Sequence, residues 1–179
     1  MGQRVVVAGE DCYDDVRQIW NGAVDHQPAL FALCESVEDV QAAVQIAPRY
    51  DFPLSVRGGG HDWAGRALRH GGLVIDLSRM RQVGVDATGQ VATVAGGAIA
   101  SDVSAAATPY RLTAVTGHVG AVGMAGFLLA GGYGPLTTRF GAAHRTRYDV
   151  ERVDCFLFSP RRTRIRSRLL WWRVQARSA

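Results

Sequence analysis

Lysine is absent from this chain of 179 residues; all 20 of its basic side chains are arginine. Cysteine is scarce, with Cys12, Cys34 and Cys155 scattered and no CxxC pair, which argues against a disulfide framework or a zinc site. No apolar run approaches the roughly 20 residues that span a bilayer. The N-terminus offers one arginine and then only Val5 to Ala8, too short for a signal-peptide core, so a soluble, cytoplasmic protein without a membrane partner is expected. Acidic residues are missing after Asp154, where seven arginines fall between Arg161 and Arg177. The preceding residues hold 13 arginines against 16 acidic residues, so the overall charge of +4 comes from the tail. A nucleic-acid partner would rest on that tail alone and is not expected. Val5-Val6-Val7-Ala8-Gly9 opens like the first strand of a dinucleotide-binding fold, but Glu10-Asp11-Cys12 follows where GxGxxG should continue, which excludes a Rossmann-type site.

What the chain does have is glycine. Arg57-Gly58-Gly59-Gly60-His61-Asp62 follows the apolar run Pro53-Leu54-Ser55-Val56, which reads as a strand. Three glycines leave the strand end with no side chains to block a close approach, and their N–H groups can turn inward into a concavity that holds phosphate. Arg57 adds charge and His61 a nucleophilic nitrogen. A strand followed by a flexible glycine turn is the alternative. A second cluster comprises Gly117, Gly120, Gly123, Gly126, Gly131, Gly132 and Gly134. It reads as a loop entering a short buried helix that ends at Gly131-Gly132. The alternative is a tightly packed helix that uses glycine for close contacts.

The remaining pattern is mixed. Asp11 to Trp20 has a helical rhythm, and Ala29 to Cys34 reads as a buried strand. Ser36 caps a helix with Asp39 in an acidic first turn and Val37, Val40, Val44 and Ala47 on its inner face. Leu54 to Val56 completes a strand–helix–strand unit of the kind that builds parallel pairs. Leu73 to Leu77 is a further strand, Val83 to Asp86 and Val91 to Val94 form a hairpin, Ile99 to Ala107 a helix, and Leu112 to Val115 a strand.

Taken in order, Val56 to His61, Leu73 to Ser78, and Thr116-Gly117-His118-Val119-Gly120-Ala121-Val122-Gly123-Met124-Ala125-Gly126 through Gly134 resemble one family. The likeness runs from about residue 8 to Gly141 and includes Tyr13, Arg17, Trp20-Asn21 and Pro28-Ala29-Leu30. It is to FAD-linked oxidases of the vanillyl-alcohol oxidase type, within the berberine bridge enzyme and 6-hydroxynicotine oxidase group. The resemblance implies an α+β, PCMH-type FAD-binding domain whose two α/β subdomains clasp an extended flavin. It implies that Arg57, Gly58, Gly59, Gly60, His61 and Asp62 bind the pyrophosphate, with His61 at the position that many members bond to the flavin. It places Thr116, Gly117, His118, Gly123, Met124, Gly126 and Gly132 beside the cofactor. Some relatives carry a second, cysteinyl link, but the matching position here is Val119, so no second link is expected. The implied reaction is hydride removal from a small organic substrate to FAD, with reoxidation by oxygen. No catalytic base is assigned, no metal is expected and the oligomeric state stays open.

The likeness fades after Phe140-Gly141. Residues 1–141 are expected to be the N-terminal part of the FAD-binding domain, with a strand continuing to 157. Residues 158–179 are expected to be a basic tail, aberrant through a frameshift or disordered. The family's substrate-binding domain and the C-terminal part of its FAD domain are expected to be missing. Two further readings stay open: a truncated, non-catalytic FAD-binding fragment, and a nucleotide- or partner-binding module without redox activity.

Overall fold

Leu73–Asp76, with all four residues buried, lies inside the first sheet. The computed structural model describes residues 4–143 and, as backbone strands, 148–152, 170–175 and 177–178. In chain order the first elements are β1 (Val5–Val7), α1 (Tyr13–Val16), β2 (Leu30–Leu33), α2 (Val37–Ile46), β3 (Leu54–Arg57) and β4 (Leu73–Asp76). The sheet runs β1-β2-β4-β3. β1 is antiparallel to β2, whereas β2 and β3 both lie parallel to β4. The strand–helix–strand unit is therefore parallel as expected, but β4 is inserted between its two strands.

Because β4 is covered on both faces, it reads as a continuous apolar run instead of an alternating one. Leu73 and Ile75 pack with Val40, Ala43, Val44 and Ala47 of the α2 side. Val74 packs on the opposite face with Val6, Tyr13, Phe31, Leu33 and Leu68. Helix α2 starts where Ser36 takes an extended conformation and accepts from the Asp39 N–H at 3.3 Å, while the Asp39 carboxylate accepts from the Ser36 N–H at 3.2 Å. Helix α1 stops much earlier than the rhythm to Trp20 predicts. The carbonyls of Val16 and Gln18, which a continuing helix would need as acceptors, face the Arg57 guanidinium instead.

The second half contains β5 (Val83–Asp86), β6 (Val91–Val94), α3 (Ala100–Ala107), β7 (Leu112–Thr113), α4 (Met124–Leu129) and α5 (Thr137–Phe140). The hairpin turn closes on Asp86, whose carboxylate accepts from the Thr88 and Gly89 N–H groups, each at 3.0 Å. A second core joins Ala92 and Val94 of β6 to Val103 of α3 and to Met124 and Leu128 of α4. Beyond residue 143 the described strands are β8 (Tyr148–Arg152), β9 (Leu170–Gln175) and β10 (Arg177–Ser178). The order β5-β6-β9-β8 makes an antiparallel sheet, and β10 pairs with β7. Within the segment expected as a tail, 170–175 and 177–178 are thus strands; the stretches 153–157 and 158–169 lie outside the described residues. The mixed α+β architecture is the fold class expected from the sequence.

Candidate functional site

The two glycine loops meet at the seam between the two four-stranded sheets. A Cβ on Gly59 would stand 2.6 Å from Gly123 Cα, and one on Gly123 would stand 2.9 Å from Gly59 Cα. Neither backbone could withdraw cheaply, so any side chain at either position would force the loops apart. Gly58 adds a third contact, since its Cβ would lie 3.1 Å from the Gly96 carbonyl oxygen. The seam is thus built from bare backbone on both sides.

The first loop is fastened from behind. Arg57 and Asp76 end the parallel strands β3 and β4 in register, and their side chains form a buried ion pair. Arg57 Nε donates to Asp76 Oδ2 at 2.9 Å, and its guanidinium also reaches the Val16 and Gln18 carbonyls and stacks 5.1 Å from the Phe31 ring centroid. The charge that Arg57 adds to the loop is turned back into the sheet and paired with Asp76. A charged side chain closing a buried strand requires a partner, and this was the signal by which Asp76 could have been found. Asp62 is likewise turned away, accepting from the Arg66 N–H at 2.8 Å and pairing with the Arg66 guanidinium.

What remains open in this loop is backbone. Among the described residues, the N–H groups of Gly58, Gly59, Gly60 and His61 have no protein acceptor. Gly60 has φ +63°, a left-handed conformation suited to glycine. The His61 ring stacks on Trp20, with centroids 4.4 Å apart and planes 18° apart. His61 Nε2 is shut off from solvent and has no hydrogen-bond partner among the described residues. Buried polar atoms are normally satisfied, so this one is an exception that calls for an explanation.

The second loop is arranged differently. Its carbonyls cap α3: Val122 accepts from the Ala100 N–H at 2.9 Å and Gly120 from the Ser101 N–H at 3.0 Å. The start of α3 is therefore occupied and offers no anion site. Met124, expected beside the cofactor, is fully buried in the second core, and its N–H donates to the Ala98 carbonyl at 2.9 Å. Its side chain is thus part of the core. Gly117 and Gly132 pack against Phe127, and Gly132 also against Ala143, which is the close-contact alternative for this cluster. Thr116 is half-buried beside Gly134, His118 is exposed, and Gly126 faces open space. Of the second cluster, Gly123 is the expected residue that the fold brings against the first loop.

Cys34 adds no reactivity to this seam. Cys34 is buried in the first core, its thiol pushed up to about 12 by burial, so it stays protonated. Among the described residues there is no group of three or more potential metal ligands, and no helix is long and apolar enough to cross a membrane.

Fold and site together define an α+β domain that presents a side-chain-free, amide-lined seam between two subdomains, a construction suited to an extended phosphate-bearing cofactor. The chain belongs to the FAD binding domain family, which matches residues 28–155. It is 37% identical over 139 residues to (R)-6-hydroxynicotine oxidase of Paenarthrobacter nicotinovorans, a match covering 78% of this chain and 30% of that protein. It is 39% identical over 145 residues to the FAD-linked oxidoreductase hasG of Aspergillus fumigatus, covering 81% of this chain and 31% of that one. Among solved structures, 6-hydroxy-D-nicotine oxidase from Arthrobacter nicotinovorans superposes with a TM-score of 0.86 at 30% identity, over 97% of this chain and 42% of that chain. BBE-like 1 of Physcomitrella patens shares the fold, with a TM-score of 0.86 at 22% identity over 99% of this chain and 42% of that chain. The chain spans about a third of the length of the curated relatives it matches. FAD is accordingly its cofactor class, and the unpaired amides, the bare seam and the orphaned His61 nitrogen all fit that group.

Proposed function

We propose that this chain carries the FAD-binding part of an FAD-dependent oxidoreductase of the oxidase kind, acting on a small organic substrate. The contact between Gly59 and Gly123 carries this reading, because it creates a seam that only backbone can line. Bound FAD would supply the redox chemistry, hydride removal from a substrate C–H bond with dioxygen as the terminal acceptor. The chain's own residues bind and orient. The N–H groups of Gly58, Gly59, Gly60 and His61 hold the pyrophosphate, and Gly123 closes the seam from the other side. Arg57 and Asp76 fix where the loop leaves the sheet. His61 is the attachment residue through Nε2, the nitrogen that finds no protein partner. A neutral imidazole nitrogen is nucleophilic near neutral pH, which suits it to that bond. With Val119 at the matching position of the second loop, one link is the most this chain forms. Thr116, Gly117 and the exposed His118 flank the same loop and are proposed to border the cofactor without bonding to it.

The test is flavin fluorescence of the purified chain on a denaturing gel, beside His61→Ala. A fluorescent band in the wild type that disappears in the variant, while released FAD appears in its place, is the expected result. Flavin that is released from both proteins in equal amounts refutes attachment but leaves FAD binding intact. No flavin in either, covalent or released, overturns the binding reading itself.

A further inference from the structure

Residues 16–24 run as a strap across the first glycine loop, and each fastening is local. The Arg57 guanidinium reaches the carbonyls of Val16 and Gln18. The Trp20 N–H donates to the Gly60 carbonyl at 3.1 Å, and Asn21 Nδ2 donates to the Trp63 carbonyl at 2.7 Å. Ile19 and Val24 sit against Gly60 and Gly65, where side chains would crowd them. The strap therefore holds Trp20 at a fixed place over His61.

The imidazole needs that help. A histidine ring turns about its last side-chain bond in a broad, roughly two-fold well, and its orientation is ordinarily set by a hydrogen bond from one ring nitrogen. Here Nε2 has none. What lies on the ring is the Trp20 indole, nearly parallel at 4.4 Å. Trp20 is itself 62% exposed, so the fold does not require its ring for core packing. A large apolar side chain left mostly in water, and stacked on a histidine whose Nε2 has no hydrogen-bond partner among the described residues, points to a task other than burial.

We propose that Trp20 is the positioning residue for flavin attachment: it sets the plane of the His61 imidazole and so keeps Nε2 out of a competing hydrogen bond. This rests on the reading of His61 as the attachment residue. In the overall step a bond forms between the imidazole nitrogen and the 8α-methyl carbon. One hydrogen leaves each partner, and dioxygen takes both with their two electrons as hydrogen peroxide.

The experiment follows covalent incorporation with time in the full chain supplied with FAD, for the wild type, Trp20→Phe, Trp20→Ala and His61→Ala. Covalent flavin is read on denaturing gels and non-covalent FAD after precipitation of the protein. Trp20→Ala is expected to slow attachment by up to about tenfold, the scale of one aromatic pair beyond its area burial, with total bound FAD unchanged. Trp20→Phe, which keeps a ring to stack, is expected to restore most of the rate. Trp20→Ala attaching at the wild-type rate overturns the positioning role while His61 keeps its own. A loss of total FAD in parallel with covalent FAD also overturns it, since that is what a merely structural residue would produce. Absence of covalent flavin in the wild type removes the attachment reading and this one together. A second readout is independent of FAD: in the flavin-free wild type the His61 ring protons are expected upfield of their positions in Trp20→Ala, and equal positions refute the stack.

Discussion

The two glycine loops reach the same seam by opposite means. In the first, side chains do the holding and the backbone is left free: Arg57 and Asp76 lock the strand end, the 16–24 strap lies across the outside, and the amides of residues 58–61 have no acceptor among the described residues. In the second, the backbone does the holding: the carbonyls of Gly120 and Val122 cap α3, and the Met124 N–H is taken by Ala98. Glycine is needed in the first loop to expose N–H groups and in the second to let chain approach chain. A glycine-rich stretch is therefore not one signal but two. A substitution should act on ligand binding in one loop and on packing in the other.

The sharpest break in that comparison is at the buried pair. Asp76→Ala leaves the Arg57 guanidinium buried without a counter-charge, which is expected to cost about 3–5 kcal/mol and to unfold the first loop before the second. Replacing both partners with apolar residues is expected to cost less than Asp76→Ala alone, because no charge is then left buried; thermal unfolding of the three proteins checks the order. Next in size is Gly123→Ala, whose Cβ would stand 2.9 Å from Gly59 Cα. Overpacking between two backbones is expected to cost up to about 3 kcal/mol and to abolish FAD retention. Gly126→Ala is the contrast within the same loop. Nothing lies within 4 Å of its Cβ, and it sits in α4, so it is expected to stabilise the flavin-free chain by up to about 1 kcal/mol through helix propensity. FAD titration of that variant then asks whether the open space beside Gly126 belongs to the cofactor. Weaker binding despite higher stability places it in the site, and unchanged binding removes it.

Much of this was legible where local chemistry decides the outcome. Ser36 and Asp39 announce α2, the Thr88-Gly89 turn announces the hairpin, and both glycine loops stand out at sight. That the loops belong together came from the order of motifs resembling a family, not from periodicity, since nothing local tells Gly59 that Gly123 will face it. The failures are all long-range. Helix α1 ends early because Arg57, far along the chain, takes its last carbonyls. β4 enters between β2 and β3 because its apolar run needs cover on both faces. Met124 opens α4 with its side chain in the core, because β6 and α3, far back along the chain, supply the packing around it. The Trp20 stack on His61 left no local trace beyond an aromatic beside an asparagine.

The smallest predicted effect concerns the anchorage of the second loop in acid. Arg81 binds Asp102 through two hydrogen bonds of 2.9 and 2.7 Å, and the same carboxylate accepts from the Ile99 N–H at 2.9 Å. The Arg81 guanidinium foremost, with the Ile99 N–H also favouring the charged form, holds the Asp102 carboxyl below its ordinary value against the opposing effect of burial. The unfolded chain therefore takes up this proton at a higher pH than the folded one. The stabilisation is fully present above the ordinary carboxylate range, and it is lost as pH falls through the lowered value. Arg81 is nearly half exposed, so solvent screens the pair and the effect stays small. Asp102→Asn keeps an acceptor for Ile99 and removes the charge. The difference in urea midpoint between wild type and variant is expected to be largest near neutrality and to shrink steadily below the ordinary carboxylate range. A difference that is the same at every pH would mean that the carboxylate acts only as a helix cap. The second loop would then owe its place to backbone alone, and its contrast with the first would be complete.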